Sequence, residues 1–439
     1  MKAAAGRIII TPDYPIPMGG NVRIDNMSRG VHDDLNCNIL MLDDGNTKVC
    51  MMGFDFVGLK YTTCNDIKRR VRERTGIPAE NITIWGTHTH SGPDTCMRMY
   101  HGIDKIIDKY LDETAEKVAA GAAEIADNFR DAELKVGKTE VHDLSFNRRL
   151  VKKDGSVVMN FEGFEVDDIV GTTGPIDPEL QVLSIWGKDG KLISALVNFT
   201  LHPAILVGLD WLISRDYIND LDDVLLEEYG KDTVVLFANG AEGNINHLNY
   251  EKPDQWRDFR ETERIGRELG RHSIETIKTS SPVDGKIRFV SEKVHLPLRD
   301  ITPEEREWAD MVIERDKDKV EDMFDGIPDK TYAKMIKGML VRPDKEFETV
   351  IQAMAIGEFA YVTFPGEVYV EFGLAVKKLS QFGCTMIIGL ANSQSGYIPK
   401  EEAFSQGGYE VRTAWSSQLV YDAGNILVDM CNERLLKKL

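Results

Sequence analysis

Strand-like apolar runs alternate with helical segments along the whole of this chain, and no low-complexity linker separates them. The runs at 36–42 and 48–56 flank Asp43-Asp44-Gly45-Asn46, a sequence typical of a hairpin turn. A helix is predicted at 63–75, and Gly76 marks its end. Because the pattern has no clean break and no internal repeat, we expect residues 1–439 to form one large α/β (α+β) domain.

The other predicted elements continue this alternation to the end of the chain. Further helices are expected at 104–129, 263–278, 303–325 and 416–436, and another follows Pro365-Gly366-Glu367 and ends near 380; further strands are expected at 7–10, 82–85, 133–141, 193–197, 234–238, 286–296, 350–356, 359–364 and 385–390.

The helix at 303–325 is highly charged and has few apolar positions. We therefore predict that 302–345 is a charged helical excursion within the domain. A solvated surface segment is the simplest interpretation, and a lid or an oligomer contact is the alternative.

The balance of charged and apolar residues excludes several classes of protein. Hydrophobic residues make up 42% of the 439 residues, which permits a sizeable core and excludes wholesale disorder. A formal net charge of −19 repels phosphate backbones and anionic bilayers, so we expect no nucleic-acid partner and no stable membrane association. Residues 1–7 lack the apolar core of a signal peptide. We expect a cytoplasmic protein whose six widely spaced cysteines are free thiols.

The strongest candidate for chemistry is the pair His88 and His90 in Thr87-His88-Thr89-His90-Ser91-Gly92-Pro93, directly after the strand-like run at 82–85. Side chains two residues apart on a strand share a face, so both imidazoles point the same way if the strand geometry continues. The carboxyl end of a strand is where α/β proteins place their chemistry. Two neutral imidazoles there suit zinc, although solvated or hydrogen-bonded histidines show the same spacing.

Two other polar side chains directly follow apolar runs. His202 comes after the run at 193–197, and it is either a ligand or a core histidine bonded to backbone. Glu367 lies between a strand and a helix, where it either binds a metal or complements the dipole of the helix.

Two loops complete the set of candidates. In the loop at 239–247, the backbone N–H groups around Gly240 and Gly243 form either an anion-binding nest or a tight turn. Tyr397 lies in a second loop, at 395–399, but the residue type alone does not nominate it, since tyrosine is uncommon as a zinc ligand.

Several short motifs occur in one order along nearly the whole chain. They are Pro17-Met18-Gly19, Gly30-Val31-His32, the Thr-His-Thr-His-Ser-Gly-Pro string, Asn147-Arg148, His202-Pro203, Ile213-Ser214-Arg215-Asp216, Phe237-Ala238 with Gly243-Asn244, Pro365-Gly366-Glu367 and Gly396-Tyr397. In this order they resemble the neutral/alkaline (non-lysosomal) ceramidase superfamily. The resemblance implies a layered α-β-β-α sandwich of two mixed sheets flanked by helices.

The same resemblance implies a zinc-dependent amidase. It assigns zinc (Zn2+) to His88, His202, Glu367 and Tyr397, and it places His90, Arg148 and Tyr409 at the catalytic site. Zinc with an open coordination position lowers the pKa of its water to about 7, so that the hydroxide attacks an amide carbonyl. His90 then serves as general acid or base, and Arg148 or Tyr409 stabilises the oxyanion.

The sequence departs from the superfamily pattern in two ways. The superfamily usually has a serine after the Phe-Ala strand, where this chain has Asn246; we expect Asn246 and Gly243 to contact substrate, and a serine acyl-enzyme at this position is excluded. The larger ceramidases continue into an immunoglobulin-like domain, so this chain is expected to be a short form. We therefore expect a small soluble N-acyl compound as substrate.

Other functions stay open at this stage. The same zinc chemistry serves an ester, a lactone or a peptide-like bond. A thiol enzyme is a second class, since Cys96 lies six residues after His90. A catalytically silent zinc-binding or scaffold protein of the same fold is the third.

Overall fold

The computed structural model describes residues 1–20, 26–97, 104–252, 254–317 and 328–439. These residues form a mixed α/β fold with one large sheet, one smaller sheet, a short three-stranded sheet and several short strand pairs. The predicted α/β (α+β) class is thereby confirmed, whereas the single domain over 1–439 stays a prediction.

The large sheet has nine strands within the described residues. Its middle strands are antiparallel, and the outermost pair at each end is parallel. From one edge to the other the order is Val234–Asn239, Leu192–Phe199, Glu179–Gly187, Arg130–Glu140, Lys2–Ile9, Asn36–Asp43, Lys48–Phe54 and Ile82–Gly86, with Ser281–Val283 beside Arg130–Glu140.

The smaller sheet has four strands within the same described residues. Its first three are antiparallel neighbours and its last pair is parallel. In order they are Arg288–Pro297, Glu346–Ile356, Phe359–Thr363 and Cys384–Ile388.

A crossover helix lies between the strands of each outer parallel pair, because parallel neighbours cannot be joined by a hairpin. These strand-helix-strand units bring the carboxyl ends of both strands to one edge, the usual position of ligand sites in α/β proteins. The three crossover helices are Tyr61–Thr75, Tyr217–Tyr229 and Val370–Leu379.

The large sheet curls so that its two edges approach each other. The indole N–H of Trp85, on one edge strand, donates to the carbonyl of Phe237 on the opposite edge strand at 2.8 Å. The Asn38 amide likewise donates to the carbonyl of Val235 at 2.8 Å. The carboxyl ends of the two parallel pairs of this sheet are therefore close in space.

Buried apolar residues of both sheets share one core, and helices cover the outer faces. Leu40, Leu196 and Leu236 of the large sheet pack in the same cluster as Met354 and Tyr361 of the smaller sheet. The helices Tyr61–Thr75 and Asp104–Ala126 pack on one part of the large sheet, Tyr217–Tyr229 and Phe259–Lys278 on another, and Val370–Leu379 and Ala423–Asp429 on the smaller sheet.

The remaining elements are short or peripheral. No helix in the described part of the chain has the length and apolar character needed to cross a membrane. The other helices are Pro303–Arg315, Asp329–Leu340 and Glu401–Gln406, and the other strands are Gly30–Val31, Phe146–Asn147, Arg149–Lys152, Val157–Met159, Ile169–Thr172, Leu212–Ile213, Ile245–Asn246, Glu367–Val368 and Tyr397–Ile398.

Two predicted helices differ from the structure. The helix predicted at 303–325 ends at Arg315, and its predicted part at 318–325 lies outside the described residues. The last helix begins at Ala423 instead of 416, because the preceding residues form bridges to other segments. Ser417 pairs with Gly396, and Leu419 pairs with Leu298.

Candidate metal centre

Three histidine side chains converge at the carboxyl ends of the parallel strand pairs. Their ligand nitrogens all lie within 4.8 Å of one another. The Nε2 atom of His88 is 2.9 Å from Nε2 of His202 and 3.2 Å from Nε2 of His90. His88 and His202 are buried, and His90 is partly exposed.

Backbone carbonyls fix the orientation of two of these rings. Nδ1 of His88 lies 2.5 Å from the carbonyl of Val57, and Nδ1 of His202 lies 3.2 Å from the carbonyl of Glu242. An N–H donated from Nδ1 leaves the lone pair of Nε2 free for a metal. Two such lone pairs 2.9 Å apart repel each other unless a proton or a metal ion lies between them.

The convergence of His88 and His90 does not come from strand geometry. The strand ends at Gly86, and His88 has a φ of 76°, which is uncommon for a residue other than glycine. A strained backbone of this kind costs about 1–3 kcal/mol and occurs mainly at functional sites. The turn at His88, and not strand alternation, therefore brings the two imidazoles together.

A carboxylate completes the cluster. Oε2 of Glu367 lies 3.4 Å from Nε2 of His88 and 3.5 Å from Nε2 of His202. The Gln394 amide donates to the other oxygen, Oε1, at 2.9 Å, so the carboxylate presents Oε2 to the histidines. Among the described residues Oε2 has no hydrogen-bond partner. Glu367 lies on a short strand before the helix, so it is not a helix-terminal residue.

The electrostatics of the cluster suit a cation. Burial raises the pKa of Glu367, but the neighbouring imidazole of His88 and the hydroxyl group of Tyr397 outweigh burial and hold this pKa at about 2. Burial also lowers the pKa of His90 to about 3, so its ring is neutral at pH 7. Glu242 is a second fully buried carboxyl group beside His202, and neither of its oxygens has a hydrogen-bond partner among the described residues.

The donor set also fits the size of zinc. With Zn–N and Zn–O distances of about 2.0–2.1 Å, neighbouring tetrahedral ligands are separated by roughly 3.3 Å. Nε2 of His88 and Nε2 of His202 are 2.9 Å apart, and Oε2 of Glu367 lies 3.4 Å from the first and 3.5 Å from the second. A zinc ion therefore fits among these three atoms without large movements of the side chains.

Two tyrosines and an arginine lie beside the cluster. The hydroxyl groups of Tyr397 and Tyr409 are 3.3 Å apart. The guanidinium of Arg148 lies 5.5 Å from the ring of Tyr397 and 5.3 Å from the ring of Tyr409. The fold thus brings together all seven residues assigned to the metal or to catalysis, from segments far apart in the chain.

Gly243 and Asn246 have backbone and structural contacts instead. The N–H of Gly243 donates to the carbonyl of Val368 at 2.8 Å and that of Gly240 to the carbonyl of Phe199 at 3.1 Å, so neither is available to an anion. Of the two alternatives for this loop, these contacts favour the tight turn over the anion-binding nest. Asn246 and Asn160 exchange two amide hydrogen bonds at 2.8 and 2.7 Å. Within the described residues neither Gly243 nor Asn246 lines the cavity at the site.

A glutamate that the sequence motifs do not indicate holds Arg148. Glu410 is fully buried and accepts from Arg148 Nε, Arg149 Nη1 and the hydroxyl of Tyr369, at 2.7, 2.7 and 2.6 Å. Its position next to Tyr409 was the only available clue, because a loop glutamate is ordinarily solvated. The sequence does not indicate Gln394 or Glu242 either, because polar side chains in loops are ordinarily solvated.

A cavity of about 1460 Å³ opens onto the cluster. His88, His90, Glu367, Tyr397 and Tyr409 all contribute to its wall, so a small molecule can reach these side chains. Met97 also lines the cavity, and residues 98–103 after it lie outside the described residues.

The thiol alternative finds little support at Cys96. Burial raises the pKa of the Cys96 thiol well above its usual range, and the charges of Asp94 and Glu367 raise it further. A thiolate nucleophile requires the opposite shift.

The fold resembles solved ceramidase structures along almost the whole chain. Neutral ceramidase from Pseudomonas aeruginosa superimposes with a TM-score of 0.74 and 18% identity, over 99% of this chain and 75% of that chain. A ceramidase complexed with C2 gives a TM-score of 0.73 and 17% identity over the same shares of the two chains.

Similarity in sequence is more limited. No family model matches the chain. A stretch of 139 residues, 31% of this chain, is 26% identical to the curated neutral ceramidase of Pseudomonas aeruginosa and covers 19% of that protein. The match therefore spans about a fifth of the curated relative's length. The resemblance inferred from the motifs is confirmed at the level of the fold.

Proposed function

We propose that this protein is a zinc-dependent hydrolase of an amide (N-acyl) bond in a small molecule. The observation that carries the proposal is the convergence of His88, His202 and Glu367 at separations suited to one zinc ion, at the wall of an accessible cavity. The likeness of the fold to ceramidases favours an N-acyl bond over other acyl bonds.

Four side chains hold the metal in this proposal. They are His88, His202, Glu367 and Tyr397, with the carbonyls of Val57 and Glu242 and the amide of Gln394 fixing their orientation. Bound zinc supplies a Lewis acid and lowers the pKa of water to about 7. A cluster of His88, His90 and His202 is the alternative donor set, since those three nitrogens also converge.

His90 is the proton carrier of the proposed site. Its ring lines the cavity next to the proposed metal ligands, where an imidazole can accept a proton from water. It then returns the proton to the leaving amine, which balances the hydrolysis of the amide to an acid and an amine.

Arg148 and Tyr409 stabilise negative charge on the carbonyl oxygen. Glu410 holds the guanidinium of Arg148 from behind, which preorganises it at no cost during the reaction. The hydroxyl of Tyr409 supplies a second donor at the wall of the cavity.

Attack by a protein hydroxyl group at position 246 plays no part, because the residue there is an asparagine engaged with Asn160. Water is therefore the proposed nucleophile. An ester, lactone or peptide-like substrate would use the same groups, and ceramide itself is one of the N-acyl compounds to be compared.

The test combines metal content with hydrolysis. We expect elemental analysis to find about one zinc per chain in the wild type, and the protein to hydrolyse at least one member of a panel of soluble N-acyl compounds and short-chain ceramides in a chelator-sensitive way. His88→Ala and Glu367→Ala should lose both zinc and activity, and His90→Ala should lose activity but keep zinc.

His142→Ala is the matched control, since His142 is exposed and lies outside the site. Full zinc occupancy in His88→Ala and Glu367→Ala would refute the ligand set. Zinc loss in His90→Ala would instead favour the three-histidine donor set. A zinc-loaded protein inactive on every acyl compound would support the silent scaffold.

A further inference from the structure

A second set of charged and aromatic side chains lines the same cavity. We call it the arginine wall, and it consists of Arg299, Arg412, Glu305 and Tyr332. Glu305 and Tyr332 come from the two helices of the charged excursion, which pack on each other through Ala309, Val312, Ala333 and Ile336. The excursion predicted as a solvated surface segment therefore forms part of the wall of the site.

Arg299 is a half-buried cation with incomplete neutralisation. One guanidinium nitrogen donates to the carbonyl of Val411 at 3.0 Å. Its closest carboxylate oxygen, on Glu305, is 3.7 Å away, beyond hydrogen-bond distance. Glu305 is already engaged, because it accepts from the backbone N–H of Thr302 at 2.9 Å and from the hydroxyl of Thr413.

Arg412 is held in a fixed orientation at the same wall. Its guanidinium lies 3.8 Å from the centre of the Tyr332 ring and donates to Asp329 at 2.6 Å. Asp329 also faces Arg315 at 3.6 Å, so its negative charge is shared between two arginines. A stacked guanidinium with donors left over is well suited to bind a carboxylate.

The charge balance of this wall is opposite to that of the molecule. The chain has a net charge of −19, yet two guanidinium groups face the cavity here. The other acidic residues of the cavity lie outside this wall: Glu162 and Asp210 belong to the loops at 161–163 and 207–211, and Glu367 belongs to the candidate metal centre. Because Glu305 and Asp329 already neutralise part of the positive charge, the wall suits a singly charged anion better than a dianion.

We propose that the cavity binds N-acyl substrates that carry a carboxylate apart from the scissile amide, and that Arg299 and Arg412 bind this carboxylate. The inference rests on the proposed function in one respect: its kinetic test requires that the protein hydrolyses amides. Its binding test is independent of hydrolysis.

The kinetic test uses matched pairs of anilides with the zinc-loaded protein. One member of each pair is the monoanilide of a dicarboxylic acid, and the other is the anilide of a methyl-ended acid of the same chain length. We expect kcat/KM to favour the carboxylate member by about tenfold or more at the best chain length, as expected for a charge-assisted hydrogen bond. Arg299→Gln and Arg412→Gln should reduce this preference to near unity.

Arg267→Gln is the matched control, because it removes a positive charge from the pair with Glu227, on the helix Phe259–Lys278 and away from the cavity wall. It should keep the preference for the carboxylate. Equal kcat/KM for both members of every pair would overturn the inference while leaving the proposed hydrolase intact.

The binding test is isothermal titration with dicarboxylic acids and monocarboxylic acids over the same chain lengths. We expect one dicarboxylic acid to bind at least about tenfold more tightly than its matched monocarboxylic acid, and Arg412→Gln to abolish the difference. This outcome supports the carboxylate site even if no anilide is hydrolysed. Unchanged selectivity in both Arg299→Gln and Arg412→Gln, each verified as folded by circular dichroism, would overturn it.

Discussion

At the scale of single residues, the hydrogen bond made by each candidate ligand's other polar atom determines which atom it presents to a metal. Glu367 offers one oxygen to the histidines because Gln394 occupies the other. His88 and His202 offer Nε2 because carbonyl groups occupy Nδ1. Partners of this kind commonly change metal affinity by about 10–100-fold.

We therefore expect Gln394→Met to weaken zinc binding by about 10–100-fold, because it removes the amide that orients Glu367 but keeps the side-chain volume. Competition with a chromophoric chelator measures the affinity. Gln381→Met is the control, since Gln381 donates to the backbone of Leu436 at the other side of the smaller sheet. Equal zinc affinity in Gln394→Met and the control would contradict the orienting role.

Asn246 provides a second test at this scale. Asn246→Ala removes the two amide hydrogen bonds with Asn160 and the hydrogen bond that the buried N–H of Leu248 donates to Asn246. We expect a loss of about 1–3 kcal/mol in the free energy of unfolding, measured in urea, with KM unchanged. A raised KM with unchanged stability would restore the predicted role of Asn246 in substrate binding.

At the scale of elements, a buried ion network ties the histidine loop to a crossover helix. Arg215 donates to Asp55 and to Asp222 on the helix Tyr217–Tyr229, both at 2.7 Å. Asp55 also accepts from the hydroxyl of Thr87, next to His88. The network thus fixes the His88 turn relative to the helix.

Arg215→Met should cost about 3–5 kcal/mol in the free energy of unfolding, because it takes the ion-pair partner from the buried Asp55 and leaves the buried Asp222 with Arg7 at 3.2 Å. Arg267→Gln is the control. It breaks the exposed pair of Arg267 with Glu227 between the same helix and its neighbour, and we expect a loss below about 1 kcal/mol. Similar losses in the two variants, by urea unfolding, would rule out a special contribution of the buried network.

At the scale of the whole molecule, Asn392 connects the two sheets and Lys68 supports it. Asn392 hydrogen-bonds to Ile84 of the large sheet and to Gln352 of the smaller sheet. Lys68, buried on the helix Tyr61–Thr75, donates to the side-chain amide oxygen of Asn392 at 2.7 Å. Burial lowers the pKa of Lys68 from 10.5 to about 8.

This shift predicts a dependence of stability on pH. Between pH 8 and 10.5 the unfolded state binds more protons at Lys68 than the folded state, so the stability of the folded state rises with pH. We expect the wild type to gain about 2 kcal/mol relative to Lys68→Met between pH 7 and pH 9.5, measured by urea unfolding. The exposed control Lys109→Met should show no such change. A constant difference between the wild type and Lys68→Met would exclude the buried, shifted lysine.

The sequence by itself determined the elements and the list of ligand candidates. Periodicity and turn residues gave the hairpin at 36–56 and the strands around 234 and 385, because these depend on neighbours in the chain. The motif order gave the fold, and it gave His88, His202, Glu367 and Tyr397 as one set. The sequence pattern placed the start of the last helix too early, since bridges to distant segments decide that boundary.

Only the tertiary structure decided how these segments meet. Curling of the large sheet joins strand ends that lie near opposite edges of the strand order, and the short strand Glu367–Val368, which follows the smaller sheet's strand Phe359–Thr363, adds Glu367. Glu242, Gln394 and Glu410 gain their roles from partners far away in sequence, as do the arginines at the cavity wall. A local pattern records how a segment can fold. The environment of a buried charge depends on contacts between remote segments, which no local pattern contains.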